Sequence, residues 1–130
     1  MSFKLQLEER LMAFSILAIE VINYLPDNQV GNHLGAQLLQ SGTFPALHYG
    51  EALGAESRKE FAHKLGVILK ELRASYNCLR ILSRINYITR NDFALLECNE
   101  LISIFVKSIK TTRNNNNTTS THTPRLVGAN

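Results

Sequence analysis

The most regular pattern in the chain lies in residues 57–82, SRKEFAHKLGVILKELRASYNCLRIL. Ser57, with Glu60 three residues later, fits a capping box, in which the two side chains satisfy free amides of a helix's first turn. Apolar side chains then recur at intervals of three and four residues, which is typical of an amphipathic helix. They are Phe61, Leu65, Ile68, Leu72, Tyr76, Leu79 and Leu82. The spacing predicts a long third helix over residues 57–85.

Two further segments carry the same period. The first runs from Lys4 to Leu25 and ends before Pro26, because proline disfavours helical geometry in the residue that precedes it. Its main stripe is Leu7, Leu11, Phe14, Ala18, Val21 and Leu25, and a second apolar flank of Met12, Ile16 and Ile19 indicates contacts on two sides. The last segment begins at Asn91 or Asp92, either a good N-cap, and runs to about Thr112. We expect it to be lined by Phe93, Leu96, Leu101, Ile104, Phe105 and Ile109 and to carry the basic residues Lys107, Lys110 and Arg113 in its last turns.

The segment over residues 30–52 is less regular. Small residues recur there at strict four-residue spacing, which lets another helix approach closely. They are Gly42, Ala46, Gly50 and Gly54. Pro45 leaves two interpretations, because it removes one helical hydrogen bond. The segment is either one helix kinked at Pro45 or two short helices with a turn at residues 41–43, and we favour the kinked helix.

Four helices with short connections predict an all-α, antiparallel up-down-up-down four-helix bundle. We assign the bundle to residues 1–113 and expect a disordered tail over residues 114–130, since its Asn, Thr and Ser runs cannot build a core. Residues 1–113 include no apolar run long enough to cross a membrane, and no signal peptide is evident. We therefore expect a cytoplasmic protein without membrane contact.

No residue set makes a convincing catalytic, metal or cofactor site. Glu60-x-x-His63 has the spacing of a di-iron ligand pair, but such sites need a second Glu-x-x-His, which is missing. Cys78 and Cys98 lack the close pairing of a zinc site and are expected to be reduced, partly buried thiols. Neither a nucleophile elbow nor a phosphate-binding glycine loop occurs. We therefore expect no enzymatic activity, no cofactor and no small-molecule substrate.

The charge is distributed unevenly along the chain. The net charge is +3, yet residues 1–57 carry two basic and six acidic side chains, whereas residues 58–130 carry twelve basic and five acidic ones. The third helix concentrates much of this surplus, which suggests an anionic partner or complementary faces in an oligomer. The candidate nucleic-acid contacts are Arg58, Lys59, Lys70, Arg73, Arg80 and Arg84. A common side for most of them fits phosphate binding, and the alternative is an ordinary solvated helix face.

The stretch from Gln37 to Leu82 resembles a known family, the four-helix bundle proteins encoded by intervening sequences of bacterial 23S ribosomal RNA genes. The resemblance is carried by five blocks in order: Gln37-Leu38-Leu39, Ser41-Gly42-Thr43, Tyr49-Gly50-Glu51-Ala52, Ala55-Glu56-Ser57-Arg58-Lys59 and Lys70-Glu71-Leu72-Arg73. Two positions depart from the family pattern, since His48 stands where asparagine is usual and Phe44 where serine is common. Any polar contact that the family makes beside Pro45 is therefore expected to differ here.

The resemblance implies a bundle that assembles as a homopentamer. It also implies kinship with the accessory protein of diversity-generating retroelements, which binds reverse transcriptase and is thought to contact nucleic acid through basic surface. The leading hypothesis is thus a non-enzymatic, self-associating bundle that binds RNA, DNA or a nucleoprotein of that kind. The alternative is a structural or adaptor protein that binds another protein without touching nucleic acid.

Overall fold

Four antiparallel helices account for most of the described chain. The computed structural model describes residues 2–118, in which we find α1 (Phe3–Tyr24), α2 (Gln29–Leu53), α3 (Arg58–Arg84) and α4 (Phe93–Thr118). Each helix packs against the next, and α1 closes the ring by a smaller contact with α4. No strand interrupts this arrangement within residues 2–118. The predicted all-α, up-down-up-down bundle is confirmed.

A side-chain cap marks the start of each helix. Ser57 Oγ accepts a hydrogen bond from the Glu60 amide at 3.0 Å, as the capping-box pattern predicts. Asp92 accepts from the Ala94 amide at 2.9 Å and so marks the start of α4. The corresponding caps of α1 and α2 are Ser2 and Asn28. All four are residue types that compete with the helix for backbone hydrogen bonds and therefore favour its first position.

The core is assembled from positions that alternate by three and four residues in every helix. In α1 these are Leu7, Leu11, Phe14, Ala18 and Val21, and in α3 they include Phe61, Leu65, Ile68, Leu72, Ser75, Leu79 and Leu82. In α4 they are Ala94, Cys98, Leu101, Phe105, Ser108 and Thr112. This is the spacing of knobs-into-holes packing, in which neighbouring helices cross at about 20°.

The same seam in α2 consists mainly of small residues. Its buried positions are Gly31, Gly35, Leu38, Ser41, Gly42, Pro45, Tyr49 and Ala52. The helix is continuous through Pro45, so the one-helix interpretation of this segment is confirmed and the two-helix alternative is wrong. Pro45 has no amide to offer the Ser41 carbonyl. The Ser41 hydroxyl instead accepts a buried hydrogen bond from Ser75 Oγ of α3 at 2.7 Å.

Gly42 marks a close approach between α1 and α2. A Cβ atom added there would lie 2.9 Å from the Cβ of Ala18, inside normal contact distance. The two helices are also joined there by a hydrogen bond, because Ser15 Oγ of α1 donates to the Gly42 carbonyl oxygen of α2 at 3.0 Å. The predicted ridge of small residues is only partly used, since Gly50 is exposed and an added Cβ would meet nothing within 4 Å. Strict four-residue spacing drifts around a helix with 3.6 residues per turn, so the ridge cannot follow one seam.

Several predicted core positions lie at the surface instead. Phe93 is 78% exposed and Leu96 is 51% exposed, because the α4 seam uses Ala94 and Cys98 in their place. The sequence pattern assigns the largest apolar side chains of α4 to the core. In the structure, packing against the other helices determines which side of α4 faces the core. Met12, Ile16 and Ile19 are exposed as well, so the second flank of α1 lies largely at the surface.

The last helix is longer than the sequence predicts. α4 continues to Thr118, so residues 114–118 are helical where we expected the tail to begin. Asparagine is a weak helix former, but adding residues to an existing helix costs far less than starting one. Lys107, Lys110 and Arg113 therefore do not occupy the last turn of α4 as expected. The rest of the predicted tail, residues 119–130, lies outside the described residues.

Gly42 and Gly50 provide a matched pair for testing the close approach. We expect Gly50→Ala to raise the free energy of unfolding by about 0.5–1 kcal/mol, because alanine favours the helix and the site is open. Gly42→Ala should lower it by about 1–3 kcal/mol, since the new methyl group overlaps Ala18 and forces α1 and α2 apart. Urea denaturation followed by circular dichroism measures both. Equal stabilisation by the two substitutions would contradict the close approach.

Candidate nucleic-acid interface

The outer side of α3 next to α4 forms a basic groove, which we call the α3–α4 groove. Arg73, Arg80 and Arg84 stand seven and eleven residues apart, and this spacing places them on one side of α3. Two clefts open along this side, and they span Gly66 to Arg84 of α3. At 1.5 Å per residue that distance is about 27 Å.

The first cleft lies at the C-terminal end of α3, and we call it the Arg84 cleft. Its volume is about 400 Å3. It is lined by Tyr76, Arg80, Ser83, Arg84, Asn86, Arg90 and Leu95. Three guanidinium groups therefore meet in one concave site, beside a hydroxyl and an amide side chain that also form hydrogen bonds.

The second cleft lies toward the other end of the groove, and we call it the Arg113 cleft. Its volume is about 550 Å3. Three cations line it together with an apolar floor, the whole set being Gly66, Leu69, Arg73, Val106, Ile109, Lys110, Arg113 and Asn114. The floor lets the long aliphatic stems of lysine and arginine lie on apolar surface while their charged ends stay in water.

No carboxylate lines either cleft. The acidic side chains of α4 turn toward α1, where Arg10 forms a bidentate ion pair with Glu97 at 2.8 and 3.0 Å and lies 3.9 Å from Glu100. This pairing raises the pKa of Arg10 through the hydrogen bond from its side chain to Glu97. Glu60 of α3 lies beside Lys64. Within residues 2–114, then, the positive charge of the groove is not neutralised locally.

The structure separates the six residues that the sequence proposed. Arg73, Arg80 and Arg84 line the two clefts, and Lys59 and Lys70 are exposed on α3. Arg58 is different, because its side chain is only 6% exposed at the first position of α3. We therefore leave Arg58 out of the interface.

Sequence analysis missed part of the groove. Arg90 belongs to the connection between α3 and α4, and no helical period predicts where a loop residue lies. Tyr76 was assigned wholly to the core, yet it packs on the core and also lines the Arg84 cleft. Lys110 and Arg113 were noted only for their position near the end of α4. A search for cations on the facing sides of adjacent helices would have selected them.

The turn after α3 gives the Arg84 cleft its shape. Asn86 has φ 65°, a left-handed conformation that asparagine tolerates better than most residues. The Asn86 amide donates to the Ser83 carbonyl, and the Tyr87 amide donates to the Leu82 carbonyl at 2.9 Å. These are the two bonds of a Schellman motif, which ends the helix and reverses the chain. The reversal brings Asn86 and Arg90 beside Arg80 and Arg84.

The remaining reactive groups are placed for packing. Burial raises the pKa of Cys98 to about 12, and its thiol lies 3.3 Å from the Leu72 carbonyl oxygen. Burial also raises the pKa of the Cys78 thiol and that of Tyr49, which reaches about 12. Thiols held protonated are poor nucleophiles and poor metal ligands. Among the described residues, no group of three His, Cys, Asp or Glu side chains is arranged to hold a metal ion.

The two departures from the family pattern contact each other. The rings of Phe44 and His48 stack with their centroids 4.0 Å apart. His48 Nδ1 lies 2.7 Å from a carboxylate oxygen of Glu51. A stacked pair therefore occupies the outer side of α2 near Pro45, and Phe44 offers no hydrogen bond of the kind a serine would make.

Comparison with solved structures finds the same architecture in another protein. The chain matches a crystal structure from Bacteroides thetaiotaomicron, which is described as a protein of unknown function from the S23 ribosomal protein family. The TM-score is 0.73 at 28% sequence identity, over 81% of this chain and 99% of that one. The match supports the family resemblance drawn from the sequence blocks. No protein-family model and no curated protein matches the chain.

None of the helices in residues 2–118 is long and apolar enough to span a membrane.

Substitutions at Asn86 test the turn that shapes the Arg84 cleft. Asn86→Ala should lower the free energy of unfolding by about 1 kcal/mol, because a left-handed backbone is strained for residues with a Cβ. Asn86→Gly should match or exceed the parent protein, since glycine adopts this conformation freely. Thermal unfolding measures both.

Asn99→Ala, at an exposed position inside α4, is the matched control and should be neutral or slightly stabilising. If Asn86→Ala proved as stable as Asn86→Gly, the left-handed turn would not be a constraint on this fold.

Proposed function

We propose that this protein is a non-enzymatic, self-associating bundle of the S23 ribosomal protein family that binds nucleic acid, free or within a nucleoprotein, through the α3–α4 groove. The observation that carries the proposal is the pairing of two clefts, each lined by three cations and no carboxylate, along one side of α3 and α4. Nucleic-acid backbones present regularly spaced phosphates, and lysine and arginine bind them without reading sequence. An ordinary solvated helix face usually mixes charges of both signs.

Exposed apolar residues on α1 support self-association. Leu5, Met12, Ile16 and Ile19 share one outer side of this helix, and Ile16 is 57% exposed. A cleft of about 380 Å3 adjoins α1 on the α4 side, where Leu17, Phe93 and Leu96 contribute to its lining. We call these residues together the α1 surface. An exposed apolar area of this kind is typical of a surface that a partner covers.

The two surfaces are compatible with one another. The α1 surface involves the side of α4 that faces α1, whereas the groove uses the side that faces α3. Copies joined through the α1 surface therefore leave each groove open. Several grooves acting on one strand would raise the apparent affinity far above that of a single groove. A homopentamer is the assembly that the family resemblance implies.

The salt dependence of RNA binding tests whether the groove binds phosphates. RNA affinity should fall steeply as salt rises from about 50 to 200 mM, because binding releases counterions from the phosphates. Charge reversal at Lys70 and Arg73 should weaken binding and make the slope of log affinity against log salt shallower by about 2. Fluorescence anisotropy with a labelled RNA measures both effects.

Charge reversal at Lys4 and Lys64 is the matched control, since it changes the net charge equally but touches neither cleft. Equal losses of RNA affinity in the two double variants would show that binding depends on the net charge of the protein and not on the groove. RNA affinity that does not respond to salt would contradict binding through the phosphates, and no measurable RNA affinity would favour the rival function, an adaptor that binds another protein through apolar surface.

The second prediction concerns assembly. Ile16→Lys should shift the mass measured by multi-angle light scattering toward the monomer, because it places a charge in the α1 surface. Ile81→Lys is the matched control, being a similar exposed isoleucine on α3, and should leave the mass unchanged. Circular dichroism confirms that both variants stay helical. An unchanged mass for Ile16→Lys would exclude this part of α1 from the interface.

A further inference from the structure

The Arg84 cleft has a feature that the Arg113 cleft lacks, which is an aromatic ring beside its cations. The guanidinium carbon of Arg80 lies 5.6 Å from the centroid of the Tyr76 ring, within the range of a cation–π contact. Arg80 Nη1 also donates to Asn77 Oδ1 at 3.3 Å. Tyr76 is itself partly buried against the core. The Tyr76 ring is therefore anchored by the core, and the Arg80 guanidinium lies over it.

This pair has the chemistry of a stacking platform. Unpaired bases stack on aromatic rings and on the planar face of arginine, and they do so with little regard to base identity. Bases inside a duplex are already stacked on their neighbours and cannot reach such a surface without leaving the helix. A volume of about 400 Å3 is ample for one base with its sugar.

The other lining groups suit the phosphate that follows a base. Arg84 and Arg90 contribute two guanidinium groups to the same cleft, and neither is joined to a carboxylate in residues 2–114. Guanidinium groups bind phosphate oxygens in a bidentate manner. Ser83 and Asn86 add neutral hydrogen-bonding groups at the wall. Stacking surface and phosphate ligands thus occupy one site.

We infer that the Arg84 cleft is a nucleotide subsite that holds one unpaired base on the Tyr76–Arg80 pair and its phosphate on Arg84 and Arg90. The protein accordingly prefers single-stranded RNA to duplex RNA. The inference rests on the proposed function, because it names the kind of nucleic acid that the groove takes. The Arg113 cleft contributes charge alone, so it tracks the backbone of either form.

The test compares a labelled 12-nucleotide oligo(U) RNA with a 12-base-pair RNA duplex at about 100 mM salt. Arg80→Lys keeps the charge but removes the planar group, and it leaves the core untouched because Arg80 is exposed. We expect it to weaken single-strand binding by about tenfold, the size of one lost stacking contact, and to change duplex binding by less than about twofold. Tyr76→Leu should act in the same direction, and its fold is checked by circular dichroism.

Tyr24→Leu is the matched control, since Tyr24 is a highly exposed tyrosine that lines neither the Arg84 cleft nor the Arg113 cleft, and it should leave both affinities unchanged. UMP should displace oligo(U) at concentrations where inorganic phosphate does not, because only UMP carries a base. Displacement by phosphate alone would reduce the cleft to an anion site and overturn the subsite.

Two failures are distinguishable. If the parent protein binds RNA but Arg80→Lys weakens single strand and duplex equally, or neither, the subsite is overturned and the proposed function stands. If the parent protein binds neither RNA nor the DNA strand and duplex of the same length at about 50 mM salt, the proposed function fails, and the subsite fails with it.

Discussion

The bundle depends on the shortage of side-chain volume along the seam of α2. Glycine, serine, proline and alanine fill most of its buried positions, so the backbone of α2 comes close enough to α1 for Ser15 to bond the Gly42 carbonyl directly. Part of the volume that α2 lacks is supplied by Phe14 of α1, which is completely buried and has a ring atom 3.9 Å from the position of a Cβ added at Gly42. Close packing of this kind tolerates little added volume. The relative position of α1 and α2 is therefore fixed by the lack of large side chains at most buried positions of α2.

The small number of core positions in each helix explains how one bundle carries two different surfaces. A seam spaced by three and four residues occupies about two of every seven positions in a helix. The side chains on the outer side of each helix therefore do not contribute to the packing of the core. α1 uses its outer side for isoleucine, leucine and methionine, whereas α3 uses its own for lysine and arginine. Arg10 pairs with Glu97 and lies 3.9 Å from Glu100, so two carboxylates of α4 lie on the side of α1 and away from the groove. The separation of charge along the sequence thereby becomes a separation of charge across the molecule.

Sequence reasoning predicted the four helices, the caps of α3 and α4 and the α3 seam, because large apolar residues mark that seam without ambiguity. It failed at Phe93 and Leu96, where the seam of α4 is built from alanine and cysteine and the larger residues lie outside. It failed at Arg58 for a related reason, since position 58 falls on the same three-and-four spacing as Phe61 and Leu65 and is buried with them. Three of the six proposed contacts, Arg73, Arg80 and Arg84, line the clefts. The sequence could place them together because the helical period determines that they lie on the same side of α3. Arg90 and the partners on α4 depend on tertiary neighbours and on the Asn86 turn, which no single-helix pattern contains.

The position of Tyr76 shows how the core and the groove constrain one another. A tyrosine that lay wholly in the core would offer no ring to the cleft, and one that lay wholly outside would rotate freely and lose entropy on binding. Tyr76 is partly buried, and Arg80, one turn further along α3, lies over its ring. The packing that orders the α3 seam thus also fixes one wall of the Arg84 cleft, because the Tyr76 ring is anchored by the core. Preorganisation of this kind is what would distinguish a specific site from a patch of positive charge.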